Sequence, residues 1–115
     1  KLQAEVTEIL EKECAAAKAA DVQTWNRYSD EFHLVFYRYC NNSRLAESAE
    51  RLRSGISIFS NQYCRETVIQ TRIDEEHLAI FQAYKDGDIE KAVQMMKTHL
   101  NDSLNYALRF LPKTF

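Results

Sequence analysis

Two glycines and one proline are all that this chain of 115 residues offers for turning sharply; average usage near 7% and 5% predicts roughly fourteen. Sandwiches, barrels, collagen-like chains and Gly/Pro-rich disordered chains need far more of them, so those classes are excluded. What remains is an all-α chain of long helices and few breaks. Hydrophobic residues make up 45% and charged residues 28%, which suits one packed core and a single domain over residues 1–115. The net charge is −2 and there is no basic run, so the chain lacks the electrostatic footprint of a nucleic-acid binder. No apolar stretch approaches 18 residues and no signal pattern opens the chain, so neither a membrane span nor export is expected. Cys14, Cys40 and Cys64 are odd in number and widely spaced, which points to buried thiols in a reducing cytoplasm rather than disulfides.

Apolar spacing predicts five helices. Leu2, Val6, Ile9 and Leu10 line one face of the first, from Leu2 to Lys18. Asp21 reads as the N-cap of a second, from Val22 to about Tyr39, which buries Trp25, Phe32, Val35, Phe36 and Tyr39. Cys40-Asn41-Asn42-Ser43 is a break, with Ser43 capping a third helix that carries Leu45, Ala49, Leu52 and Ile56. The weak alternation from Gly55 to Asn61 reads as a bend. A fourth helix, from about Gln62 to Tyr84, carries Val68, Ile69, Ile73, Ile80 and Phe81. It closes at Asp86-Gly87-Asp88, where Gly87 is free to take positive φ. Asp88 caps a fifth, from Ile89 to about Phe110, before Pro112. Short breaks between long helices imply antiparallel neighbours, hence an up-and-down helical bundle.

The chain has three histidines, His33, His77 and His99, and each falls on a different predicted helix. Counting along those helices from Asn41, Gly87 and Asp88 places them roughly 12, 15 and 17 Å below one end of the bundle, within about one helical turn of each other. If their faces converge, three imidazoles meet at one interior point, a first shell suited to Zn²⁺ or Ni²⁺. Asp30, three residues before His33 and on its face, is the expected fourth ligand; Ser29 shares the face with a poorer donor. A lone histidine in a bundle is ordinarily on the surface or satisfied by a hydrogen bond, and Cys40 on the His33 face is ordinarily a small core residue. Tyr63, Glu66 and Gln70 share the side of His77. Tyr37 lies one turn after His33, and Tyr106 two turns after His99. Of these, Tyr37, Gln70 and Tyr106 are the candidates to contact a polar ligand in a hydrated cavity.

The ordered set Asp30-Glu31-Phe32-His33, Cys40-Asn41-Asn42-Ser43-Arg44-Leu45, Glu76-His77, Ala83-Tyr84-Lys85-Asp86-Gly87-Asp88, Ala92, Met96 and His99-Leu100 resembles the FCD domain. That is the C-terminal effector-binding domain of the FadR subfamily of GntR-type bacterial transcriptional regulators. The resemblance implies an all-helical bundle of five to six helices, a divalent metal held by one Asp and three His, and a small carboxylate effector at or beside the metal. It further implies a homodimer that meets operator DNA through a winged-helix domain preceding this one, outside this chain. Residues 1–18 resemble the second helix of the usual bundle, which would place the first helix upstream. His33, His77 and His99 match the three metal histidines. The family pattern has Asp four residues before the first His, where this chain has Ser29 and offers Asp30 one residue later.

The expected function is therefore ligand sensing without catalysis. A helical metalloenzyme for hydrolysis or hydration is the alternative, since three histidines and an open position also acidify a bound water. A bundle used only for protein association, with hydrogen-bonded histidines, is a third reading.

Overall fold

The computed structural model describes residues 1–109, with side chains for residues 1–55 and 64–109. Five helices follow in order: α1 (Leu2–Lys18), α2 (Val22–Arg38), α3 (Ser43–Tyr63), α4 (Thr67–Lys85) and α5 (Ile89–Leu108). No strand occurs among the described residues, and the chain is an all-helical bundle as expected.

Local chemistry sets most of the boundaries. The Asp21 carboxylate accepts from the Thr24 amide at 3.2 Å and the Asp88 carboxylate from the Lys91 amide at 3.1 Å, each satisfying a donor that the first turn leaves open. Gly87 takes φ +78° after α4, the conformation that costs glycine least. The third cap falls one residue earlier than expected. Asn42, not Ser43, accepts from the Leu45 amide at 3.1 Å, and Ser43 is already helical. The bend expected over Gly55 to Asn61 is absent: α3 runs through to Tyr63, and the break comes at Cys64-Arg65-Glu66, where Glu66 is extended. Gly55 is tolerated inside the helix at roughly 1 kcal/mol relative to alanine. The new break is held by Gln70, whose Nε2 donates to the Cys64 carbonyl at 2.9 Å. The expected stop at Pro112 lies outside the described residues.

α1 packs against both α2 and α4; α3 leans on α2, and α5 on α4. Val6, Ile9 and Leu10 of α1, Phe32 and Val35 of α2, and Ile80 and Phe81 of α4 form one apolar cluster. Ala16, Ala17, Trp25 and Ile73 form a second. Phe32 and Trp25 are at most 1% exposed, and losing such a ring to alanine typically costs about 3–5 kcal/mol. Several apolar residues expected inside are outside: Tyr39, Leu45, Leu52 and Val68 are exposed. Tyr39 instead donates its hydroxyl to Glu5, and Val68 sits in the first turn of α4, beyond the packed stretch. None of the three cysteines forms a disulfide, and where buried thiols were expected Cys14 and Cys64 are half-buried and Cys40 is exposed.

The two apolar clusters leave a gap between them on each of three helices. Along α1 it falls between Leu10 and Ala16, along α2 between Trp25 and Phe32, and along α4 between Ile73 and Ile80. The polar site occupies that layer.

Candidate metal centre

His33 borders this layer on α2, directly after Phe32, while His77 enters from α4 and His99 from α5, and all three are buried. One ring nitrogen from each lies within 4.8 Å of the others. His77 Nε2 is 3.1 Å from His99 Nε2, and His99 Nε2 is 3.4 Å from His33 Nε2. Phe32 stacks on the His77 ring, with centroids 4.1 Å apart, and closes the apolar side.

Carboxylates behind the rings choose the tautomers. The Glu13 carboxylate accepts from His77 Nδ1, with its two oxygens at 2.9 and 3.0 Å. The Glu76 carboxylate accepts from His99 Nδ1 at 2.7 Å. With the protons on Nδ1, both Nε2 atoms present lone pairs to each other. Burial pushes the His77 pKa down to about 3 and lowers those of His33 and His99 below the ordinary histidine value; neighbouring imidazoles push the latter two down further. The imidazoles are thus kept neutral, and Nδ1–H donation to the carboxylates leaves the Nε2 atoms of His77 and His99 as acceptors. Ligands 2.0–2.1 Å from a tetrahedral Zn²⁺ stand about 3.3 Å apart, close to the spacings found here. The donor set fits a divalent cation, and the three histidines could hold one.

Behind Glu13 lies a second carboxyl. Asp74, 4% exposed, accepts from the indole Nε1 of Trp25 at 2.9 Å and hydrogen-bonds to Glu13. Burial pushes the Asp74 pKa up to about 8 and that of Glu13 up to about 7, while hydrogen bonds from Asp74 and Ser29 favour the charged form of Glu13. Asp74 is pushed up further than Glu13, so of the two it keeps its proton to higher pH.

The three histidines come together as the helical heights predicted. Asp30, expected as the fourth ligand, instead has its carboxylate on Arg53, at 2.7 Å from Nη2 and 3.2 Å from Nε. The cluster of ligand atoms among the described residues is made of the three imidazoles alone. Ser29 is buried and bonds to Glu13. Gln70 is 1% exposed, and its Oε1 finds no hydrogen-bond partner among the described residues. Tyr106 is half-buried, with its hydroxyl pKa raised by burial. Tyr37 is exposed, outside the buried layer.

Sequence reasoning missed Glu13, Asp74 and Arg53. A signal for the first two existed: Glu13 continues the buried stripe Val6, Ile9, Leu10, Ala16, Ala17, and Asp74 continues Gln70, Ile73, His77, Ile80, Phe81. A carboxylate on an apolar stripe needs a buried partner. Arg53 gave no such signal, since most side chains over residues 43–55 of α3 are exposed.

A cleft of about 360 Å³ between α4 and α5 has Glu76 and His99 in its wall, with Arg72, Gln94 and Thr98 nearby. No described helix is long and apolar enough to cross a membrane. No curated protein and no solved structure gives a significant match to the chain. The sequence profile of the FCD domain matches residues 1–102, nearly the whole length and all three histidines, and the chain therefore belongs to the FCD domain family.

Proposed function

We propose that the chain is the metal-dependent sensing part of a GntR/FadR-type transcriptional regulator, in which a small carboxylate effector binds at the histidine centre and alters DNA binding by a domain outside this chain. The observation that carries this reading is the convergence of three buried imidazoles from α2, α4 and α5, with His77 and His33 each presenting Nε2 to His99 Nε2 at 3.1 and 3.4 Å. A divalent ion held there, with Zn²⁺ or Ni²⁺ best suited to imidazole, would supply a positive centre that attracts an anion strongly in a poorly solvated interior.

The remaining roles belong to the chain's own side chains. Gln70 brings a buried acceptor without a partner among the described residues, suited to a ligand hydroxyl or amide. Tyr106 is the second candidate contact. Tyr37 has its place in the proposal only as a surface residue at the end of α2. Asp30 stands one turn from His33 and in reach of the centre only by leaving Arg53. Arg53 lowers the pKa values of all three histidines and so adds positive potential where an anion would bind. Because the histidines lie on three helices, a ligand added to the centre shifts those helices relative to one another, and two copies joined as a dimer pass the shift to the DNA-binding domains. Binding without turnover is the proposed activity, in a bacterial cytoplasm.

The test has two parts. Protein purified without a histidine tag should carry close to one divalent metal per chain by elemental analysis, and His77→Ala should carry none. Calorimetric titration of carboxylates should then find one that binds the metal-loaded chain, fails to bind His33→Ala, and is recovered unchanged. Metal-free protein that refuses Zn²⁺ and Ni²⁺ defeats the proposal, and a chemically altered carboxylate favours the enzyme.

A further inference from the structure

The carboxylate behind His77 comes from a helix that contributes no histidine. Glu13 is the one charged side chain of α1 that is fully buried, and it sits where Leu10 and Ala16 on either side belong to the two apolar clusters. Ser29 of α2 and Asp74 of α4 hydrogen-bond to its carboxylate, Trp25 of α2 donates to Asp74 at 2.9 Å, and the carboxylate lies 2.9–3.0 Å from His77 Nδ1. Five side chains from three helices thus form one connected polar network that ends at His77 Nδ1.

We propose that Glu13 is a positioning residue of the metal centre, its buried carboxylate holding His77 in the Nδ1–H tautomer and aiming the Nε2 lone pair at His33 and His99. A hydrogen-bonded network this deep is expensive to bury, and an apolar side chain at position 13 would join the two clusters more simply. Its geometry is explained by what it does to His77. Glu76 gives His99 the same support, but from the rim of the α4/α5 cleft with its side chain 31% exposed, where solvent can replace it. The Glu13 contact has no such substitute, so its removal should be felt more strongly.

This inference rests on the reading that the three imidazoles hold a divalent metal, and the experiment separates the two. Long-range ¹H–¹⁵N correlation spectra of the metal-free chain report the His77 tautomer without any metal. The wild type should show His77 as Nδ1–H, and Glu13→Met should show Nε2–H or a mixture. Co²⁺ titration followed by its ligand-field absorption then gives affinity: about 10–100-fold weaker for Glu13→Met, the usual range for losing a group behind a ligand, and less than tenfold weaker for Glu76→Gln. Glu13→Gln keeps an acceptor for His77 and a donor for Asp74, so it should retain the tautomer and lie between wild type and Glu13→Met in affinity. It also serves if the methionine variant does not fold. His77 remaining Nδ1–H in Glu13→Met, or Co²⁺ affinity equal to wild type in both Glu13 variants, overturns the proposal. A wild type that takes up no Co²⁺ defeats the metal reading alone, and a tautomer that moves with Glu13 still supports the positioning role.

Discussion

His77 and His99 face each other with their Nε2 atoms 3.1 Å apart, and each gives its Nδ1 proton to a carboxylate behind it. Two lone pairs therefore meet in a buried space, a repulsion that a cation between them converts into two bonds. The metal-free chain should be less stable for it. At a free Zn²⁺ concentration a hundred times Kd, binding to the folded state alone adds about 2.7 kcal/mol, or roughly 10 °C in Tm for a chain of this size. Differential scanning calorimetry with Zn²⁺ and then with excess chelator should show that rise and its reversal. A Tm indifferent to both would show that the facing lone pairs are reconciled without a cation.

The same layer sets the pH dependence of the metal-free chain. Histidines with folded pKa values below the ordinary 6.5 add stability as pH rises toward 6.5 and nothing more above it. Glu13 and Asp74, raised to about 7 and about 8, act in the opposite sense: the folded chain holds their protons longer than the unfolded one, so stability is lost as pH climbs through those values. Above 6.5 the carboxyls act alone. Urea denaturation in chelator should show a fall of about 1–2 kcal/mol between about pH 6.5 and 8.5, from roughly 1.4 kcal/mol per proton per pH unit. Asp74→Asn should flatten it. A stability that stays flat across this range would mean that the carboxyls ionise in the folded chain as easily as in the unfolded one.

Asp30 and His33 share a helix face but not a role. The Asp30 carboxylate is paired with Arg53 at 2.7 Å, both side chains mostly buried, and releasing it would leave a guanidinium without that partner. Asp30→Asn is expected to weaken Zn²⁺ binding less than tenfold, whereas His33→Ala should abolish stoichiometric uptake. Calorimetric titration of both variants decides the matter. Equal losses would place Asp30 in the metal shell after a rearrangement of Arg53.

The contrast between Asp30 and His33 also marks how far the sequence could be read. Helix number, the caps at Asp21 and Asp88 and the common height of the histidines follow from local rules, because a helix has fixed rise and its open amides want an oxygen. The break at Cys64-Arg65-Glu66 carries no glycine or proline, so nothing local announces it, while Gly55 sits inside a helix that continues past it. Choosing between Asp30 and other acids depended on what faces α2 from elsewhere. Arg53 comes from α3, a helix whose Leu45 and Leu52 are exposed and whose pattern says little about its orientation. Glu13 was legible as an anomaly on an apolar stripe, but its partner His77 lies 64 positions away, beyond any periodicity.

Trp25 provides the sharpest separation of stability from metal binding. It is the chain's single tryptophan, 1% exposed, packed with Ala16, Ala17 and Ile73, and its indole donates to Asp74 at 2.9 Å. Trp25→Phe keeps most of the apolar packing but leaves a buried carboxyl oxygen without its donor, which should cost about 1–3 kcal/mol together with a smaller cavity term. Glu13 retains its bonds to His77 and Ser29, so Zn²⁺ affinity should fall less than tenfold. Replacing the acceptor too, as Trp25→Phe with Asp74→Leu, removes the orphaned oxygen, and the double variant should be more stable than the sum of the two single losses predicts. Urea denaturation followed by circular dichroism measures all four members of the cycle, with Zn²⁺ titration run on each. Additive losses would show that the indole contributes packing alone, and a hundredfold loss of Zn²⁺ affinity in Trp25→Phe would show that the hydrogen-bonded chain from Trp25 to His77 acts as one unit.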